Sequence, residues 1–118
     1  MTDDNNQLGR ITIAPRALAT IASQAAMSSY GVTGMAPRNL ADGIAHALAR
    51  DPRHGVEIRA HGDVIEIDLH IIIEYGTRVS SVAHSVANTV RYQVERTIGT
   101  PIHAVNVHVH DLRISDVD

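Results

Sequence analysis

Three histidines and two acidic residues form the most chemically suggestive set in the sequence. His108 and His110 are two positions apart in a segment of alternating polarity, so both imidazoles point to one side if the segment is a strand. His70 lies in a second alternating segment, close behind Glu66 and Asp68. Imidazole and carboxylate groups together are typical ligands of zinc or nickel. Nothing in the spacing shows how water would be excluded, so we expect at most weak metal binding and assign no metal ligands.

Catalytic signatures are missing from the sequence. It contains no G-x-S-x-G elbow, no P-loop and no G-x-G-x-x-G, and it has no cysteine that could act as a nucleophile or hold a metal. Glu66 and Asp68 would share one strand face, where we expect water to keep both carboxylates ionised and poorly suited to proton transfer. We therefore predict a non-enzymatic protein with no catalytic residue and no cofactor.

A G-x-x-G sequence at Gly31–Gly34 is the second candidate site. In KH domains a loop of this kind clamps the backbone of a nucleic acid. Arg16 and Arg38 flank the sequence, but no cation lies inside it, and the formal net charge of the chain is −3. A negative protein gains little from phosphate contacts. A KH-like nucleic-acid-binding module using Gly31–Gly34 therefore stands as the alternative function.

Two strands and a helix should position the histidines. Val64–Tyr75 and Val105–Asp111 alternate between apolar and polar residues, which indicates strands with one buried and one wet face. Valines spaced four apart between Ser80 and Ile98 predict a connecting helix, so the last strand should return parallel to Val64–Tyr75. The open face of this sheet would collect Glu57, Arg59, Glu66, Asp68, His70, Glu74, Asn106, His108 and His110.

The complete pattern predicts an α+β fold, β-α-α-β-β-α-β, with the helices packed on one face of a small mixed sheet. The short connection at His61–Asp63 favours a hairpin, and Gly99 should end the last helix. In chain order the predicted elements are a strand at Ile11–Ile13, a helix from Pro15 to about Ser28, a loop at Tyr30–Pro37, a shorter helix capped by Asn39, a strand at Val56–Ala60, the strand Val64–Tyr75, a helix capped by Ser80 or Ser81 and running to about Ile98, and the strand Val105–Asp111.

Length and composition bound the class of protein. With 118 residues, 44% of them hydrophobic, the chain is long enough for one folded domain. We expect that domain at residues 10–112, a disordered tail at 1–9 and a short acidic tail at 113–118. No apolar run approaches the ~20 residues of a membrane span. Residues 1–9 are polar and acidic, unlike a secretory signal, so we expect a cytoplasmic protein.

Four stretches of the sequence resemble the alkaline shock protein family. They are Ile13–Ala26 (IAPRALATIASQAA), Tyr30–Met35 (YGVTGM), Ile67–Gly76 (IDLHIIIEYG) and Val105–Leu112 (VNVHVHDL), and together they span Arg10–Leu112. The resemblance implies a non-enzymatic bacterial protein of the cell envelope stress response. It also implies self-association and, as in some members, attachment to the inner face of the cell membrane through a separate membrane-anchored partner. No ligand-binding residues come with the resemblance.

Overall fold

The computed structural model describes residues 12–36 and 55–114, which form two helices and four strands. The elements are α1 (Pro15–Met27), β1 (Val32–Met35), β2 (Val56–His61), β3 (Val64–Glu74), α2 (Val79–Ile98) and β4 (Ala104–Arg113). This arrangement confirms the α+β class. Neither described helix is long and apolar enough to cross a membrane.

Strand β3 is the centre of the sheet. On one edge it pairs with β4 in parallel along Glu66–Glu74, as the helical crossover predicted. On the other edge it pairs antiparallel with β2 through Val64–Leu69 and with β1 through Ile71–Ile73. β1 and β2 therefore lie end to end along the same edge, and the sheet is mixed.

The two strands on that edge meet at His70. The His70 amide donates to the Gly55 carbonyl, and the Ala36 amide donates to the His70 carbonyl, both at 2.8 Å. This junction explains why the loop predicted at Tyr30–Pro37 is wrong over Val32–Met35, whereas Tyr30 and Gly31 do form a turn and Pro37 lies outside the described residues. β2 leaves the last part of the β3 edge unpaired, and Val32–Met35 occupies that edge as a strand.

Both helices pack on one face of the sheet, as predicted. Four inward side chains of β3 are fully buried, and four valines of α2 together with the small residues of α1 cover them. Burial of these apolar surfaces is the main stabilising contribution to the fold. The buried core includes Leu18, Ala22, Ala25, Ala26, Ile67, Leu69, Ile71, Ile73, Val82, Val86, Val90 and Val94.

The predicted carboxyl-terminal end of α2 is confirmed, and its predicted N-cap is wrong. Gly99 ends the helix in a left-handed conformation with φ +74°, and its amide donates to the Glu95 carbonyl. At the other end, Arg78 occupies the N-cap position without a side-chain capping bond, so neither Ser80 nor Ser81 is the cap. The helix starts earlier because the turn after β3 is closed by Thr77, whose hydroxyl donates to the Glu74 carbonyl.

Other predicted elements fall partly or wholly beyond the described residues. Thr12 and Ile13 are not in a strand, and Ile11 lies outside the described ranges. The predicted helix after Asn39 and the tail at residues 1–9 also lie outside them. At the carboxyl end, β4 continues to Arg113.

Candidate functional site

The candidate site is the sheet face that the two described helices leave uncovered, here called the open face. Cross-strand partners point to the same side of a sheet. The register pairs Glu57 with Asp68, Arg59 with Glu66, Asp68 with Asn106 and His70 with His108. All of these polar side chains consequently share the open face, as the alternation in sequence predicted.

The structure brings the three predicted histidines together. His70 and His108 are direct partners across β3 and β4, and their rings stack with centroids 4.7 Å apart at an interplanar angle of 13°. The His70 Nδ1 atom lies 2.7 Å from His110 Nε2, a hydrogen-bonding distance, with the rings tilted by 47°. One nitrogen of that pair must carry the proton and the other must accept it. The cluster is therefore a fixed arrangement rather than three independent surface side chains.

A β-bulge places His110 in this cluster. The pairing of β3 with β4 runs from Ile71 opposite Val109 directly to Ile72 opposite Asp111, which leaves His110 as the extra residue. A bulge re-aims the side chain at the extra position and is common beside functional sites. The sequence showed that His108 and His110 share a face, but the bulge depends on the partner strand and has no sequence signal.

Asp68 is the centre of a second polar network next to the histidines. Its Oδ2 lies 2.9 Å from Arg59 Nη2, and its Oδ1 accepts a 2.9 Å hydrogen bond from the side-chain Nδ2 of Asn106. His108 Nε2 is 3.6 Å from the same Oδ1, and Arg59 also reaches Glu66 Oε1 at 3.0 Å. These contacts join β2, β3 and β4 through one carboxylate.

The burial of Asp68 corrects the expectation that water covers both carboxylates. Asp68 is only 7% exposed. Its charge is balanced by the Arg59 guanidinium instead of by bulk water, because a buried carboxylate needs a charged or hydrogen-bonding partner. The sequence contained no signal for this contact, since it required the alignment of three strands.

The described residues hold no ready metal site. Across residues 12–36 and 55–114, no group of three or more His, Asp or Glu side chains is arranged to bind a metal ion. Two of the candidate nitrogens face each other across a hydrogen bond. The absence of metal ligands, of catalytic residues and of cofactor-binding residues stays a prediction from the sequence.

The G-x-x-G sequence is not a clamp loop. Val32, Thr33 and Gly34 lie within β1, and the Thr33 hydroxyl donates to the Ile72 carbonyl at 3.2 Å. Gly31 has φ +89°, and a Cβ on it would lie 2.9 Å from a methyl group of Val82, so this glycine permits close packing of the turn on α2. The loop interpretation of Gly31–Gly34, on which the nucleic-acid alternative depended, is wrong.

The histidine contact can be measured by a double-mutant cycle. We expect His70→Ala and His110→Ala to be coupled by about 1 kcal/mol in the free energy of unfolding. Either substitution alone already removes the hydrogen bond and ring contact between the two residues, so the second substitution costs less. Urea unfolding at pH 8, where a free imidazole is neutral, gives the four free energies. The control cycle pairs His110 with His84, which is exposed on α2 and should couple by less than about 0.5 kcal/mol. Equal coupling energies in both cycles would show that His70 and His110 do not interact specifically.

Comparison with known proteins identifies the class to which this α+β domain belongs. The sequence model of the alkaline shock protein 23 family, described by a cell envelope-related function, matches residues 3–114. The chain belongs to this family, which confirms the resemblance drawn from its four stretches.

Bacterial relatives match over nearly the same length. The uncharacterized protein YloU of Bacillus subtilis (strain 168) is 39% identical over 110 residues, which cover 92% of each chain. The uncharacterized protein Spy1614 of Streptococcus pyogenes serotype M6 is 25% identical over 112 residues, 93% of each chain.

Solved structures of MamM CTD variants share the fold. One variant aligns with a TM-score of 0.54 at 19% identity, covering 85% of this chain and 100% of that chain. A zinc form of another variant aligns with a TM-score of 0.52 at 20% identity, covering 86% and 89%. At this level of identity the likeness concerns the fold alone.

Proposed function

We propose that this protein is a non-enzymatic structural protein of the bacterial cell envelope stress response, which self-associates and docks to a membrane-anchored partner. Family membership with a cell envelope-related function supports the cellular role. The observation that carries the molecular role is the open face, a rigid sheet surface on which histidine, arginine and carboxylate groups are held in place.

Polar side chains of the open face are held in place by their neighbours and yet remain accessible to a partner. Asp68 anchors Arg59 and lies near His108, whereas the side chains of Arg59 and His108 stay 42% and 49% exposed. A pre-organised polar surface loses little side-chain entropy when it binds a partner. This property favours a docking surface for a protein with complementary charges.

The same geometry argues against catalysis. Active sites are concave and exclude water, which strengthens their electrostatic interactions with a substrate. The histidine cluster and Asp68 lie on the face of a sheet, where no second layer of described residues covers them. We therefore assign recognition, rather than reaction, to these residues.

The cellular location follows from the proposed partner. We place the protein in the cytoplasm, peripheral to the inner face of the cell membrane and held there by the membrane-anchored protein. In this arrangement the open face supplies the contact with the partner, and attachment needs no membrane-spanning segment in the chain that binds.

The test is capture from solubilised membranes with two matched double variants. His103 lies just before β4, with its Nε2 4.0 Å from Glu66 Oε2 on the open face. His103→Ala/His108→Ala removes two imidazoles whose side chains are 63% and 49% exposed, and His84→Ala/Gln93→Ala changes two exposed residues of α2. We expect the wild type and the α2 variant to retain one membrane-spanning protein in quantitative mass spectrometry. The open-face variant should lose it at least about tenfold, because contact residues near the centre of an interface each contribute 1 kcal/mol or more. Equal retention by all three proteins, or none by the wild type, would overturn the proposed docking.

A further inference from the structure

Exposed apolar side chains are concentrated at the end of the molecule where β3 and β4 finish and α2 begins. Among the described residues, eight large hydrophobic side chains are exposed, and five lie here: Tyr30 (82%), Tyr75 (62%), Val79 (40%), Leu112 (41%) and Ile114 (75%). We call these five residues the apolar end. Contiguous exposed apolar surface of this kind marks an interaction site, whereas isolated exposed residues do not.

Backbone hydrogen bonds place these residues side by side. The Glu74 amide donates to the Gly31 carbonyl, and the Tyr75 amide donates to the Arg113 carbonyl, both at 2.8 Å. Tyr30, Tyr75 and Ile114 each adjoin one of these bonds, so they form a row across three neighbouring strand ends. Tyr30 also lines a concavity of about 480 Å³ with residues 76–78 at the start of α2.

Charges of both signs border the apolar end, and two of them, Glu74 and Arg113, are partners in the register of β3 with β4. Glu74, Arg78 and Arg113 make no ion pair with any other described residue. A twofold contact between two copies brings the same patch of each together, so a patch that carries both signs can be complementary to itself. In such a contact Glu74 of one copy faces an arginine of the other. An anionic membrane surface fits less well, because Glu74 would face the lipid phosphates.

We infer that the apolar end is the interface through which two copies of this chain associate. The row of Tyr30, Tyr75 and Ile114 packs against the same row of the second copy, and the concavity beside Tyr30 receives a side chain from it. Glu74 pairs with Arg78 or Arg113 across the contact. This inference rests on the proposed self-association and assigns it to the end of the molecule, away from the histidine cluster and the Asp68 network of the open face.

Light scattering after size-exclusion chromatography of the full chain, over a range of concentrations, tests the inference. The interface variant is Tyr30→Ser/Tyr75→Ser/Ile114→Ser. The control is Val64→Ser/Tyr92→Ser, which removes two exposed apolar side chains away from the apolar end. We expect dimers of the wild type and the control with the same dissociation constant, and at least tenfold weaker association of the interface variant. Unchanged thermal unfolding of all three proteins shows that each remains folded.

A charge reversal distinguishes a specific interface from general stickiness. Glu74→Arg should weaken association, and adding Arg78→Glu or Arg113→Glu to the same chain should restore it, because each copy then supplies both new partners. Dimerisation of the interface variant like the wild type would overturn the inference while leaving self-association in place. A wild type that stays monomeric would overturn both. If the wild type binds vesicles of phosphatidylglycerol and phosphatidylcholine and the interface variant does not, while the interface variant still dimerises, the apolar end would be a membrane-binding surface instead.

Discussion

Replacing Gly55 by alanine is expected to destabilise the protein by about 3 kcal/mol, the cost of a strained backbone position combined with a steric clash. Gly55 has φ +82°, a conformation that side chains with a Cβ rarely adopt. The new Cβ would lie 2.7 Å from the Ala36 carbonyl oxygen and 2.9 Å from that of His70. The Ala36 amide donates to the His70 oxygen and the His70 amide donates to the Gly55 carbonyl, so the three backbone segments are joined here and cannot move apart cheaply.

Gly62 provides the matched control for this prediction. It has φ +61°, but a Cβ on it would meet nothing within 4 Å. Gly62→Ala should therefore cost only the left-handed backbone conformation, about 1 kcal/mol. Urea unfolding of the two variants compares the costs directly. Equal destabilisation would mean that the junction at Gly55 is not tightly packed.

Truncating Leu69 to alanine should lower the free energy of unfolding by about 2–5 kcal/mol, the range for a large side chain removed from a packed core. Leu69 is fully buried in the middle of β3, with Val56 and Val107 as its partners on the two neighbouring strands. Three strands and the helices above them cannot all close around the missing volume, so a cavity remains.

Leu112→Ala is the comparison for Leu69→Ala, because it removes the same atoms from a strand residue that is 41% exposed. Its cost should stay below about 1 kcal/mol, as is usual for surface positions. Denaturant midpoints at low protein concentration, where self-association contributes least, give both values. If Leu112→Ala lowered the free energy of unfolding as much as Leu69→Ala, Leu69 would not lie in the packed core.

The Leu69 prediction also connects the core to the open face. Leu69 lies between Asp68 and His70, so one strand supplies the core with one side and the polar network with the other. Because successive side chains alternate across a strand, any shift of β3 that fills a cavity moves both polar residues. The side-chain NMR signals of His70 and His110 should therefore shift in Leu69→Ala more than in Leu112→Ala.

The sequence by itself determined the elements whose patterns are local. Alternation with period two identified β3 and β4 and the set of polar residues on their open face, since side-chain direction in a strand depends only on position along the chain. The valine stripe and Gly99 identified α2 and its end for the same reason. The four matching stretches were enough to place the chain in its family.

Tertiary structure decided the features that depend on a neighbour. β1 has four residues and no period of its own, and it exists because the β3 edge beyond β2 offers unpaired backbone groups. The bulge at His110 depends on the register with β3, and the burial of Asp68 depends on Arg59 and Asn106 arriving from two other strands. The apolar end is a meeting of element termini that are far apart in sequence. Each of these features is a relation between segments, which no single segment can encode.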